Sequence, residues 1–426
     1  MPEMDRRVAQ AAVILLVEGL TVRDDPPLRQ LCPAWADLVD RHQTGRLAWP
    51  PEELDPTLEQ PGLFALFGMP YGVDPEQDLP VGSLLARYLG RPDASRHSWA
   101  CLGFTHLQQV QAELRCVSKH RTGQTQAEIH ALAEALLADY ELEGWQVHAG
   151  QHSVILLSTP RPMTVRTTPL QRVEGRTTLD ILPKGRDAAT LIRLLTTGQL
   201  ILARHPLNRA RQDQGRLTLN TPWIWGVGRE QDPPEQDQPG QNQPEQGHSE
   251  QELGHEQKRK PEPTPGNMTS PSAVKGVCWT AEPLVAALAQ SDGWETTILD
   301  ETETLPDNWI AGCLAQMAKG RKVIIHLQAP SLLVRHGLVQ ERQERLRLFG
   351  EHVVTPLMTA LREGTASLVV LSGPVLDSTG AILPDPSPWV VVPAGLPSRW
   401  QRFWQAGRRG SGPTFSPQQF RQEWLS

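Results

Sequence analysis

Two short apolar runs constrain this chain most. One reads Lys322-Val323-Ile324-Ile325-His326-Leu327, and the other runs from Ala11 to Val17. Each is too short for a buried helix, and neither alternates apolar with polar. Both therefore read as buried strands. The region from 274 onward repeats the theme as a βαβ rhythm. A strand at Val274–Trp279 leads into a helix from Glu282 to Gln290, and a strand at Glu295–Leu299 follows. A helix from Asn308 to Lys319 precedes the strand at 322–327. A long helix from Val339 to Arg362 comes next, then strands at Ser367–Leu371 and Trp389–Val392. Strands that alternate with helices predict an α/β fold with a mostly parallel sheet and helices on both faces. In such sheets, ligands bind at the carboxyl ends of the strands. The stretch HLQAPSLLVRHG (326–337) leaves one of those ends, so it is a place to look for a site.

The earlier half is less regular. Leu28 to Asp40 reads as helical. Thr125 with Glu128 makes a capping box, and Ile129, Leu132, Ala133 and Leu136 then follow helical spacing. Trp145–Val147 and Ser153–Ser158 read as a hairpin, and Arg186 to Ala203 as a longer amphipathic helix. Between the halves lies Glu230 to Ser272, dominated by Gln, Glu and Pro. Such a segment cannot bury enough surface to offset its ordering entropy, and the sequence predicts a disordered linker there.

Charge and composition exclude some classes. The 426 residues carry a net charge of −7. That argues against a nucleic-acid binder, which would show a basic face. The arginines near the carboxyl terminus (Arg399, Arg402, Arg408, Arg409) read as a solvated face. No apolar run reaches the roughly 18 residues a membrane span needs. The first run lacks a small-residue cleavage site and is followed at once by Glu18-Gly19. It reads as a strand rather than a signal peptide, which implies a cytoplasmic protein. Five widely spaced cysteines, with no C-x-x-C, suggest reduced buried thiols. There is no phosphate-binding G-x-x-x-x-G-K-[ST] and no H-E-x-x-H, and Gly226-Val227-Gly228 is too short for a dinucleotide loop.

Several stretches, in order, resemble one family. VILLVEG (13–19) is similar to an opening strand that ends in Asp-Gly. PGLFALFGMPYGVDP (61–75) is similar to a P-G-S-D-x-x-x-L-x-x-L-G-Y-D-P loop. HPLNRARQDQGRLTLNTPWIWGVGR (205–229) is similar to H-P-x-N and W-x-W-G-x-G segments, and VKGVCWTAEPLVAAL (274–288) to a V-K-G strand and helix. HLQAPSLLVRHG resembles H-x-E-A-P-D-E-x-x-H. Together they resemble the archaeal-type cofactor-independent phosphoglycerate mutases of the alkaline phosphatase superfamily. The resemblance implies a phosphatase-like core in three pieces (1–94, 169–229 and 273–426). A small α/β cap would be inserted at 95–168, and the linker at 230–272.

The resemblance also says what active members need. A serine attacks phosphate that is held by two divalent metals, usually manganese, bound by Asp and His. At the matching positions this chain has Leu63 for the nucleophile and Phe64 for the next acid. Glu18, Ser331, Arg335, Gly373 and Pro374 fall on metal-ligand positions, and His336 is one residue late. Asn208, Arg211 and Arg229 persist on the substrate side. Asn208 and Arg211 fit two roles equally from sequence: binding an anion, or capping and anchoring a helix. The expectation is a pseudoenzyme with no catalytic residue and no metal or other cofactor. It would bind a partner protein, an active relative or a small anion, and neither nucleic acid nor membrane. The alternative is an active, manganese-dependent mutase that interconverts 2- and 3-phosphoglycerate in glycolysis, or a phosphatase, with a remodelled site.

Overall fold

The computed structural model describes residues 13–17, 28–41, 44–47, 64, 66–68, 77–110, 113–117, 119–150, 154–173, 181–229, 274–299, 305–328, 333, 338–363, 368–372, 389–391, 414–415, 419 and 421–422. The order begins with β1 (Val13–Val17), α1 (Leu28–Leu31), α2 (Pro33–Arg41), β2 (Thr44–Leu47) and α3 (Val81–Tyr88). It continues with β3 (Ser98–Val110), β4 (Glu113–Val117), α4 (Lys119–Thr122), α5 (Gln126–Leu142), β5 (Gln146–Ala149) and β6 (Ile155–Thr159). Then come α6 (Leu170–Val173), α7 (Ala188–Arg204), α8 (Pro206–Asp213) and β7 (Thr221–Gly228). The last part holds β8 (Gly276–Thr280), α9 (Pro283–Ser291), β9 (Glu295–Ile298), α10 (Trp309–Ala318) and β10 (Lys322–Leu327). It closes with α11 (Val339–Phe349), α12 (Thr355–Arg362), β11 (Leu368–Ser372), β12 (Trp389–Val391) and β13 (Thr414–Phe415).

Two sheets form. The larger has the order β13-β2-β12-β11-β1-β10-β8-β9, and its run from β11 to β9 is parallel. β12 adds antiparallel to β11, so the sheet is mostly parallel. The apolar runs explain why β1 and β10 are central. Ile14, Leu16, Ile324 and Cys278 face one layer, while Val13, Leu15, Val17, Val323, Ile325 and Val277 face the other. A strand buried on both sides must be apolar at every position. The outer layer is α2, α10, α11 and α12, with Trp35, Cys313, Leu346 and Leu357 in contact with the sheet. A π-helical turn, Gly350–Val354, joins α11 to α12 into the long helix expected at 339–362. Pro356 lies two residues beyond Val354. It lacks an N–H, and a widened turn relieves the ladder it interrupts.

The inner layer, α3 and α9, lies between the two sheets. Leu84, Leu85, Val285 and Leu288 share one apolar cluster with Ile14 of the larger sheet and with Trp99 and Leu156 of the smaller. Gly82 permits the approach, for a Cβ there would lie 2.5 Å from the Trp99 main chain.

The smaller sheet is antiparallel, β4-β3-β6-β5, with β7 on β3. The hairpin of β5 and β6 is the one read from sequence. The sequence reading placed the end of the cap at 168. β7 pairs along β3, and Leu191, Leu194, Leu202 and Leu219 close the same core as Leu132, Leu136 and Tyr140 of α5. The piece at 169–229 thus builds the second unit rather than returning to the first. The linker at 230–272 lies outside the described residues. Among the described residues, no helix is long and apolar enough to cross a membrane.

Candidate functional site

The parallel strands end together. Val17 is level with Leu327 on one side and Ser372 on the other, and His326 is level with Thr280. The segments that begin at 18, 328 and 373 therefore leave one edge of the sheet. Topology selects a point on that edge. After β8 the chain crosses by α9 on the inner face, outward to β9. After β10 it crosses by α11 and α12 on the outer face, toward β11. The two crossovers diverge, so the gap between the carboxyl ends of β8 and β10 is a topological switch point, where open α/β sheets bind ligands.

Two buried polar side chains occupy that gap. Thr280 Oγ1 lies 2.9 Å from His326 Nδ1 and accepts from Glu282 N at 3.0 Å. Glu282 caps α9 by accepting from Leu284 N. The Thr280 hydroxyl keeps a proton and a second lone pair, so it can pair with Nδ1 in either tautomer of the ring. Gln328, one residue past β10, is also buried. This is a hydrogen-bonding edge with one imidazole. Among the described residues, no three His, Cys, Asp or Glu side chains come together as metal ligands would.

The positions singled out in sequence divide in three. Glu18, Leu63, Ser331, Arg335, His336, Gly373 and Pro374 lie outside the described residues. Phe64 is described and sits inside the inner cluster with Ile14, Leu16 and Phe67, 1% exposed. Asn208, Arg211 and Arg229 belong to the second unit. Asn208 donates to Leu202 O and Leu219 O and accepts from Leu219 N, at 2.7 to 3.0 Å. Arg211 donates from Nε to Leu217 O at 2.7 Å and from Nη2 to Thr122 O. Its Nη1 pairs with Glu128 at 2.7 Å. These contacts fit the anchoring role that sequence had left open beside anion binding. They tie α8 to the start of α5 and to β7. Arg229 is exposed and donates to Arg96 O. Trp225 packs half-buried between the inner layer and the cluster of Val173 and Trp223.

Sequence reasoning missed Asp78. It lies just before α3, where the chain enters the second unit. Its Oδ1 accepts from Thr167 N at 2.8 Å, and its Oδ2 accepts from Thr167 Oγ1 and from Val227 N at 3.3 Å. Thr167 Oγ1 accepts in turn from Gly226 N at 3.0 Å. Gly226 takes φ 64°, and a Cβ there would meet Val81 Cβ at 2.7 Å, so only glycine fits. Burial pushes the Asp78 carboxyl up to about 7, against the pull of Thr167, Val227 and the Arg166 charge. No motif marks this acid, because its partners are 89 and 149 residues away.

Comparison with known proteins gives these features a relative. The chain is 25% identical over 286 residues to the 2,3-bisphosphoglycerate-independent phosphoglycerate mutase of Methanothrix thermoacetophila, which is 65% of this chain and 63% of that protein. The chain is similar to cofactor-independent phosphoglycerate mutases. A Geobacter sulfurreducens protein named "Probable 2,3-bisphosphoglycerate-independent phosphoglycerate mutase" is 33% identical over 106 residues, 24% of this chain and 26% of that one. The matched stretch thus spans less than two thirds of these relatives. The solved structure of the PH0037 protein from Pyrococcus horikoshii shares the fold, with a TM-score of 0.55 over 98% of this chain and 96% of that chain at 12% identity. No family model matches the chain. The expected α/β architecture, a mostly parallel sheet with helices on both faces and a smaller α/β unit, is the one found.

Proposed function

We propose that this chain keeps the scaffold of a cofactor-independent phosphoglycerate mutase and uses it to bind a partner protein or a small anion, without transferring phosphate. The observation that carries this reading is Phe64. The resemblance puts an acid there, beside the nucleophile. In this chain a phenyl ring fills the place and is buried among Ile14, Leu16 and Phe67. An aromatic ring offers no donor to a hard divalent cation. Leu63, its neighbour, has no lone pair with which to attack phosphorus. At the switch point, the Thr280 hydroxyl and His326 Nδ1 are spent on each other and on Glu282 N. Residues of these kinds do not fit a two-metal phosphoryl-transfer centre.

The test is a metal count joined to an assay. The protein is grown with excess manganese and zinc, purified, and measured for metal per chain by mass spectrometry. Interconversion of 2- and 3-phosphoglycerate is then followed with added manganese, for the native chain and for Leu63→Ser. Metal near zero and no turnover in either protein are expected. One or two tightly held metals with turnover in the native chain would overturn the proposal in favour of an active mutase.

A further inference from the structure

The last residues of the chain return to the inner layer. Phe64, Leu66 and Phe67 are buried in the inner cluster, and Gly68 follows them with φ 71°. A Cβ built on Gly68 would overlap the Arg421 guanidinium, so that group packs directly on the turn. Arg421 Nη2 also donates to Asp292 Oδ1 at 2.6 Å, across 129 residues of sequence. One arginine near the carboxyl terminus thus joins the end of α9 to the turn that follows Phe64.

Asp292 explains why an arginine comes here. It stands at the carboxyl end of α9, where the helix dipole already places negative charge. Only 4% of its side chain is exposed. A carboxylate in that place needs donors. Lys275 Nζ at 2.7 Å shares Oδ1 with Arg421, and Trp294 Nε1 donates to Oδ2 at 3.1 Å. Lys275, just before β8, balances the charge by itself. Arg421 can therefore leave without stranding a buried ion. Its side chain is 31% exposed, so solvent and salt reach the pair. The other end of the tail is fixed, since Thr414 and Phe415 of β13 pair with β2. Departure of Arg421 frees only the residues beyond β13, and it uncovers Gly68.

We infer that the carboxyl-terminal segment is a releasable strap. Arg421 holds the turn at Phe67 and Gly68 against the end of α9, and its release loosens that turn without unfolding the inner layer. The inference stands whether or not the chain transfers phosphate. Glycine at position 68 belongs to the device, because any side chain there would take the place of the guanidinium. Ionic strength is the lever. Charges are screened over about 10 Å at 0.1 M salt and over about 3 Å at 1 M. A partly exposed ion pair weakens across that range, whereas the apolar contacts of Phe64, Leu66 and Phe67 do not.

The experiment is hydrogen–deuterium exchange, read at a peptide holding Phe64 to Gly68 and at a peptide holding α9. The native chain is compared with Arg421→Ala and with a chain ended at Gln418. Loss of a partly exposed pair should speed exchange at 64–68 about fivefold in both variants. α9 should keep its native rate, because Lys275 still balances Asp292. Raising sodium chloride from about 0.05 to 1 M should speed exchange at 64–68 in the native chain and leave Arg421→Ala unchanged. Equal exchange at 64–68 in all three proteins overturns the inference. So does loosening of α9 together with 64–68 in the variants, for Arg421 would then be an ordinary part of the core. A salt effect that persists in Arg421→Ala overturns it as well.

Discussion

Asp78 gives the sharpest test of the junction between the two units. The perturbation is Asp78→Asn, compared with the native chain as pH is varied. In the folded chain the carboxyl is held up to about 7, from an ordinary value of 3.8, because burial outweighs its three hydrogen bonds and the Arg166 charge. The unfolded chain loses that proton near 3.8. Between the two values the folded chain holds a proton that the unfolded chain has released. The stability from this group is therefore complete below about 3.8 and is lost as pH rises through about 7. Each pH unit in that window is worth about 1.4 kcal/mol. From pH 5.5 to 8 the native chain should lose about 2 kcal/mol relative to Asp78→Asn, which has no proton to lose. This is an upper bound, since the residue is only half-buried overall and solvent screens it. Scanning calorimetry at several pH values reads the loss as a change in the gap between the two melting temperatures. At about 2–4 °C per kcal/mol, the gap should move by roughly 4–8 °C. A gap that stays constant from pH 5.5 to 8 would refute the reasoning. It would mean that Thr167 and Val227 keep the carboxyl ionised throughout and that burial is the lesser effect.

Two further outcomes follow from the buried polar groups. Asn208→Ala removes three hydrogen bonds at once and leaves Leu202 O, Leu219 O and Leu219 N without that partner, so a urea melt should show a loss of roughly 2–3 kcal/mol. Thr280→Val keeps the shape but deletes the hydroxyl between Glu282 N and His326 Nδ1. It should cost about 1–3 kcal/mol, and Thr280→Ser should recover most of that.

What could be read from sequence was local. VILLV and KVIIHL announce doubly buried strands, because burial on both faces forces every position to be apolar. Thr125 and Glu128 announce a helix start, because the capping box closes within four residues. Both of its bonds form, at 2.8 and 3.3 Å. What could not be read was which sheet each amphipathic helix covers. The stripe of Leu191, Leu194, Leu195 and Leu202 says that α7 packs on something. Only the pairing of β3 with β7, more than a hundred residues apart, decides that it is the smaller sheet. Asn208 and Arg211 were ambiguous for the same reason. The side-chain types suit an anion as well as a carbonyl, and the carbonyls of Thr122 and Leu219 reach them only through tertiary folding.

If the proposed reading holds, the large sheet explains how the scaffold would stand without a metal centre. Its central strands are held by apolar clusters on both faces, and the switch-point edge is closed by the bond between Thr280 and His326. Neither needs a cation. A dinuclear site places several carboxylates close together, and without their metals those charges repel and must be desolvated. On the proposed reading, one such acid has given way to Phe64, whose burial contributes about 1.5–3 kcal/mol of its own. Once the ligands begin to go, each further exchange of an acid for an apolar residue removes a repulsion and adds packing. On that reading, exchanging the ligands for apolar residues would cost the fold no stability.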